Sequence, residues 1–227
     1  MTTPPLAAVL WDMDGTLIDS EPLWLEAELE MLRRYGVEMT PDTHRRLIGS
    51  GLWEAAEHFR ELGVPLSADD IVAEWVRGVS EGAAQQGLSW RPGARELLAS
   101  LAAHGITSVL VTMSVRSFAE QVTSELPANS FAAIVAGDEV RHPKPHPEPY
   151  LLGARAAGAP IERCLAIEDS PTGLRAAVAS GAVAIGVPNL IGLEGERAHG
   201  IWDSLLGVDA AGLRDRFSAL RSIHFSS

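Results

Sequence analysis

Apolar positions along this chain follow two regimes. From Pro92 onward, short apolar runs alternate with amphipathic stretches, and each kind carries its own period. Ile106–Val111, Ala132–Val135, Cys164–Ile167 and Val183–Ile185 read as strands. Residues 92–104, 115–125, Glu148–Ala157 and Pro171–Ser180 read as helices, with Gly105, Gly158 and Gly181 as stop signals. A final helix is expected from Ala210 to Ser222. Such alternation predicts a parallel sheet with crossover helices, and Leu6–Trp11 adds one more core strand at the start of the chain. Residues 21–87 differ, because no segment there alternates like a strand. Leu25, Leu29 and Leu32 recur at helical spacing after Pro22, and further helical patterns cover Leu52–Leu62 and Ala68–Gln86. Between them, Thr40–Gly51 interrupts the series with turn residues and an arginine pair, Arg45 and Arg46. No internal repeat or low-complexity segment is present.

The polar residues that punctuate the strands carry the chemistry. Asp12, Thr112, Asp138 and Asp169 all fall at the C-terminal ends of apolar runs, the edge at which open α/β sheets bind ligands. Asp12 and Asp14 are separated by one residue, so an extended chain places them on one face, roughly 6–7 Å apart. Alone, the pair reads more readily as a turn with two solvated aspartates, and the rest of the chain decides. If they converge, their repulsion calls for a cation or a proton, and an oxygen-only donor set near a phosphate suits Mg²⁺ better than zinc.

Composition narrows the field. The 227 residues suit one large domain, or a core with an insertion, and supply ample apolar content. A formal charge of −12 argues against a nucleic-acid footprint, while a small phosphorylated substrate remains open through local cations. Cys164 is the lone cysteine, so no intrachain disulfide is expected, and it reads as a small buried hydrophobe. Neither a basic leader nor a membrane-length apolar run occurs, which points to a cytoplasmic protein with no membrane partner. Of the 18 basic residues all are arginine except Lys144. Lysine differs from arginine as a compact point charge with three rotatable donors.

Four motifs in order then give a resemblance. Asp12-Met-Asp-Gly-Thr16, Thr112 after an apolar strand, Lys144 within Pro143-Lys-Pro-His-Pro147, and Glu168-Asp169 followed by Ser-Pro-Thr-Gly173 are similar to the haloacid dehalogenase-like superfamily. The closer likeness is to its branch of helical-cap phosphatases and sugar-phosphate mutases, and it covers nearly the whole chain. The resemblance implies an α/β fold: a Rossmann-like parallel-sheet core over residues 1–18 and 89–227, with an inserted α-helical cap over 19–88. It implies Asp12 as the nucleophile that forms an aspartyl-phosphate, and Asp14 as the acid and base that serves the leaving oxygen and then the attacking water. Asp12, Asp169 and the backbone carbonyl of Asp14 would ligate Mg²⁺. Glu168, adjacent to Asp169 and expected to point to the other face, would stand behind the ligands. Thr112 would hydrogen-bond a phosphoryl oxygen, Lys144 would balance the carboxylates, and Gly15 and Thr16 would join the phosphate contacts.

The chain departs from the family pattern at Met113 after the threonine, at Pro143 before the lysine and at Glu148 after the proline pair. Contact at Met113 is therefore expected through backbone only. Ser114 and Arg116 are candidates for contact with the substrate's non-transferred part, as are Arg45 and Arg46 in the cap. Each arginine has a bland alternative as a surface residue paired with acids. His142 and His146 are four apart, but the intervening prolines preclude a helical metal pair. The expected activity is Mg²⁺-dependent hydrolysis of a small phosphorylated metabolite, with sugar and polyol phosphates favoured by Asp19-Ser-Glu-Pro-Leu-Trp24. A β-phosphoglucomutase-like phosphomutase is the alternative; those relatives carry a histidine where this chain has Trp24, and an arginine in the loop written here Ile48–Trp53. A non-catalytic phosphate-binding module is a further alternative. Neither the substrate nor the oligomeric state is legible in the sequence.

Overall fold

A computed structural model describes residues 5–40, 43, 47 and 51–223. Arg45, Arg46 and Ile48–Ser50 lie outside the described residues. The chain divides into two compact units, Met1–Asp19 with Trp90–Ser227, and Ser20–Ser89.

The first unit is built on a parallel sheet of β1 (Ala8–Trp11), β2 (Thr107–Val111), β3 (Ala133–Val135), β4 (Cys164–Glu168), β5 (Val183–Gly186) and β6 (Gly200–Ile201). Their spatial order is β3-β2-β1-β4-β5-β6, a Rossmann-like α/β arrangement. β1 lies centrally and all four of its side chains are buried; a strand covered on both faces needs a continuous apolar run rather than alternation. The strand order reverses between β1 and β4, so the topological switch point lies beyond Trp11 and Glu168.

Helices α4 (Ala94–Ala103), α5 (Arg116–Ser124), α6 (Glu148–Ala156), α7 (Pro171–Ser180) and α8 (Ala210–Arg221) connect and cover the strands. Ala8 and Leu10 of β1, Val109 and Val111 of β2, and Cys164 and Ala166 of β4 share one buried cluster with Tyr150 and Ala154 of α6 and Leu174 of α7. By the two-residue period, Val9, Trp11, Leu110 and Leu165 face the other way. The helices start where their caps dictate: the Ser170 hydroxyl accepts the Gly173 N–H at the head of α7, and the Asp209 carboxylate accepts the Gly212 N–H at the head of α8. Buried Cys164 donates its S–H to the Pro160 carbonyl. Strand β6 escaped the sequence reading, because two residues carry no periodic signal.

The regular elements among the second unit's described residues are helices: α1 (Glu21–Arg34), α2 (Leu52–Glu61) and α3 (Ala68–Gln86). Helix α3 packs against both others. Gly78 of α3 lies against Ala27, where an added Cβ would sit 3.2 Å from the alanine methyl. Phe59 and Trp75 meet edge to face with centroids 4.6 Å apart. Within the segment read as a turn, Thr43 and Leu47 are instead helical and buried. Polar turn formers flank both positions in sequence, and apolar burial at Leu47 overrides their local preference. Among the described residues no helix is long and apolar enough to cross a membrane.

Candidate active site

Three carboxylates meet at the switch point. One oxygen from each of Asp12, Glu168 and Asp169 lies within 4.8 Å of the others. The sheet register brings this about: Trp11 pairs with Ile167 and the Asp12 N–H donates to the Ile167 carbonyl at 3.0 Å, so Asp12 and Glu168 follow neighbouring strand ends in step. Asp12 continues the Ala8-Leu10 row and Glu168 the Cys164-Ala166 row. Strict alternation would send Asp169 to the opposite face, away from Glu168. β4 ends at Glu168, however, and the chain has left the strand by Asp169, so both acids reach the cluster.

Lys144 organises the group. Its ammonium donates to Asp12 Oδ1 at 2.7 Å, to Glu168 Oε1 at 2.6 Å and to the Val111 carbonyl at 2.9 Å. Three donors meet three acceptors, so the lysine is saturated. Burial pulls its ammonium down, but the charges of Asp12 and Glu168 outweigh that and hold it above its ordinary range. Asp12 is pushed up to about 7 by burial and by Glu168, with Lys144 opposing. Burial and the charges of Asp12 and Glu168 also drive Asp169 well above its usual value. Negative charge therefore exceeds positive charge among these groups.

That excess, and the geometry around it, fit a divalent cation. Asp12 Oδ2 is buried without a hydrogen-bond partner, and a buried carboxylate oxygen left unpaired is costly. Gly15 adopts φ +85°, and a Cβ there would fall 2.0 Å from Asp169 Oδ2. Only glycine combines that conformation with such close approach. All the donors are hard oxygens, the set that Mg²⁺ takes. Glu168 is less free to join them, because each of its oxygens already accepts a hydrogen bond.

Asp14 is turned toward β2, where its Oδ2 accepts from the Ser114 hydroxyl at 2.7 Å and from the Thr112 hydroxyl at 3.3 Å. Its backbone is held by a bridge to Ile18, and the Gly15 N–H donates to the Ile18 carbonyl at 2.7 Å. The Thr16 hydroxyl oxygen is buried without a partner. The Met113 sulfur accepts the Lys144 backbone N–H at 3.4 Å, and its carbonyl passes so close to Gly137 that a Cβ there would lie 2.2 Å away.

Arg116 is not brought into this cluster. Its guanidinium is engaged by Glu139, by Glu120 and by the Ile134 carbonyl, and the Asp138 carboxylate accepts the Arg116 N–H at the head of α5. Glu139 raises the guanidinium further above its already high range. Asp138 thus serves as a helix cap. The rings of His142 and His146 lie 4.7 Å apart, with His146 Nδ1 accepting the Glu148 N–H.

The sequence reading missed two members of the site. The Tyr150 hydroxyl donates to Glu168 Oε1, its ring lies 5.1 Å from the Lys144 ammonium, and burial together with Glu168 pushes its phenol well above the usual range. Gly173 lies against the same carboxylate, where a Cβ would stand 1.9–2.1 Å from its Oε1, Cδ and Oε2. Tyr150 reads from sequence as an ordinary helix residue, and Gly173 only as the last position of the fourth motif, with no role assigned to it. Only the packing of α6 and α7 over the even-numbered rows of β1 and β4 reveals them.

Residues 9–187 match the family model described as haloacid dehalogenase-like hydrolase. The chain belongs to that family. Among curated haloacid dehalogenase-like relatives, it is 32% identical over 197 residues to hexitol phosphatase B of Escherichia coli K12, covering 83% of this chain and 86% of the relative. It is 32% identical over 180 residues to the phosphorylated carbohydrates phosphatase of Thermotoga maritima, covering 78% and 82%. Among solved structures of the family, CbbY from Rhodobacter sphaeroides in complex with xylulose-(1,5)bisphosphate superposes with a TM-score of 0.83 at 29% identity, covering 92% of this chain and 99% of that one.

Proposed function

We propose that this hydrolase is a Mg²⁺-dependent phosphatase that cleaves a small phosphorylated metabolite, a sugar or polyol phosphate, through an aspartyl-phosphate on Asp12. The observation that carries the reading is the division of Asp12 between its two oxygens: Lys144 holds Oδ1, Oδ2 is buried without a partner, and the carboxylate clusters with Asp169. The relatives support the substrate class, since hexitol phosphatase B, the carbohydrate phosphatase and xylulose-bisphosphate-bound CbbY all concern phosphorylated sugars or polyols.

In this mechanism Asp12, Asp169 and the Asp14 carbonyl would hold Mg²⁺, which would supply charge neutralisation between an anionic ester and an anionic nucleophile. An oxygen of Asp12 forms a bond to phosphorus as the bond to the ester oxygen breaks, and Asp14 gives that oxygen its proton. Water then attacks the aspartyl-phosphate, Asp14 takes the water's proton, and the Asp12–phosphorus bond breaks to release inorganic phosphate. Thr112 and Ser114 orient Asp14 for both transfers, and Lys144 offsets charge on Asp12 throughout. Gly15 and Thr16 contribute phosphate contacts, with Thr16 offering its unpartnered hydroxyl.

We assign substrate selection to the helical unit, as its cap. Trp24, buried in α1, offers an indole N–H that donates and has no acceptor nitrogen, so it cannot carry a proton between two positions of a sugar. That favours hydrolysis over phosphate transfer within a sugar. The test is phosphate release from hexose, hexitol, glycerol, glycolate and nucleotide phosphates with Mg²⁺. Release of phosphate from a sugar or polyol ester is expected; isomer formation without free phosphate would overturn the reading.

A further inference from the structure

Among the described residues Glu168 is the most enclosed charged group, its side chain all but fully buried. A carboxylate so buried needs donors in place of its lost water. Three side chains supply them. The Lys144 ammonium and the Tyr150 hydroxyl share Oε1, and the Ser170 hydroxyl reaches Oε2 at 3.2 Å. Gly173 clears the space, since any side chain there would overlap the carboxylate. Glu168 in turn takes one of the three donors of Lys144, and the Val111 carbonyl takes another, so the third can point only to Asp12 Oδ1. The orientation of Asp12 thus depends on Lys144, that of Lys144 on Glu168, and that of Glu168 on a tyrosine hydroxyl that touches no reacting atom.

We infer that Tyr150 is a positioning residue: its hydroxyl anchors Glu168 so that the shared lysine stays on one oxygen of Asp12 and leaves the other free for chemistry. This inference rests on the phosphatase reading for its catalytic consequence, though not for its geometry. The phenol is suited to the task. Its ring fills apolar space beside Ala154 and Leu174 in the cluster behind β1 and β4 and lies under the ammonium, while the hydroxyl alone reaches into the charged group. Phenylalanine would keep the packing and the ring's attraction for the lysine and lose only the anchor.

Tyr150→Phe is therefore expected to unfold near the wild-type temperature, to lower kcat about tenfold with KM within about twofold, and to show in its crystal structure a Lys144 ammonium more than about 3.5 Å from Asp12 Oδ1. In a Glu168→Gln background, where the anchored charge is already gone, the same change is expected to alter kcat less than about twofold, because residues acting in one chain of contacts are not additive. A Tyr150→Phe crystal structure that retains the Lys144–Asp12 bond overturns the inference whatever the kinetics. Losses that multiply in the double variant overturn it too. If the wild-type enzyme releases phosphate from no ester, the phosphatase reading fails, while the crystallographic comparison still decides the role of Tyr150.

Discussion

In the sheet unit Lys144 pairs with Asp12 and Glu168 at side-chain exposures of 5%, 10% and 1%, whereas in the helical unit Arg60 pairs with Glu57 at 48% and 56%. The helical unit keeps these ions in water, where such a pair contributes about 0–1 kcal/mol, and fills its interior with Phe59, Trp75, Ile71 and Val79. The sheet unit spends apolar burial on enclosing charges that repel one another. A cluster of that kind is a poor way to gain stability, and its position at the switch point explains why it is there. One unit has a core organised for folding, and the other carries within its core a set of groups organised for a reaction.

Substitutions can break that contrast. Asp12→Asn, in the charged cluster, is expected to lower phosphate release by about 10³-fold or more while the melting temperature stays within about 3 °C, because the amide removes the proposed nucleophile and also a crowded charge. Steady-state kinetics and a thermal melt on one sample read both. Gly173→Ala is expected to cost about 10²-fold in kcat, since the methyl must displace Glu168 and with it Lys144; that same overpacking costs about 1–3 kcal/mol, measured by denaturant unfolding. In the helical unit the order of effects reverses. Phe59→Ala is expected to remove about 3–5 kcal/mol of that unit's stability by leaving Trp75 a cavity, seen as an earlier transition in the melt.

The smallest effect sharpens the comparison, because it concerns the helical unit's own anomalous acid. Burial, and then the charge of Glu21, push Glu28 up to about 8. Between its ordinary value and 8 the folded chain holds a proton that the unfolded chain has lost, so stability falls as pH rises through that window. Glu28→Gln, which never ionises, is expected to raise the melting temperature at pH 8.5 by about 2–4 °C over wild type and to leave it nearly unchanged at pH 5. Equal shifts at both pH values would remove the ionisation from the explanation.

How much of this was legible depended on whether a residue's role is local. Asp12, Lys144 and Asp169 announce themselves because a charge at the end of an apolar strand contradicts its surroundings, and the chain's lone lysine contradicts its arginine bias. The parallel sheet followed from alternating periods, and helix α7 from its amphipathic run and closing Gly181. Tyr150, and the role of Gly173 within its motif, were invisible for the opposite reason. Each conforms to its helix, and its function arises from which strand row the helix covers, a property of tertiary packing. Arg116 shows the converse, a residue beside the second motif whose guanidinium Glu139 and the Ile134 carbonyl engage. Thr43 and Leu47, helical inside a segment of turn formers, show burial prevailing over local propensity.

The central claim is that Asp12 becomes covalently phosphorylated during turnover, and rapid acid quenching of the enzyme with Mg²⁺ and a sugar phosphate, followed by peptide mass analysis, tests it most directly. The account predicts one phosphoryl group on the peptide containing Asp12, formed within a turnover, lost with phosphate release and absent from Asp12→Asn. Steady phosphate release with no phosphorylated peptide at any quench time, or with the phosphoryl group on another residue, would contradict it.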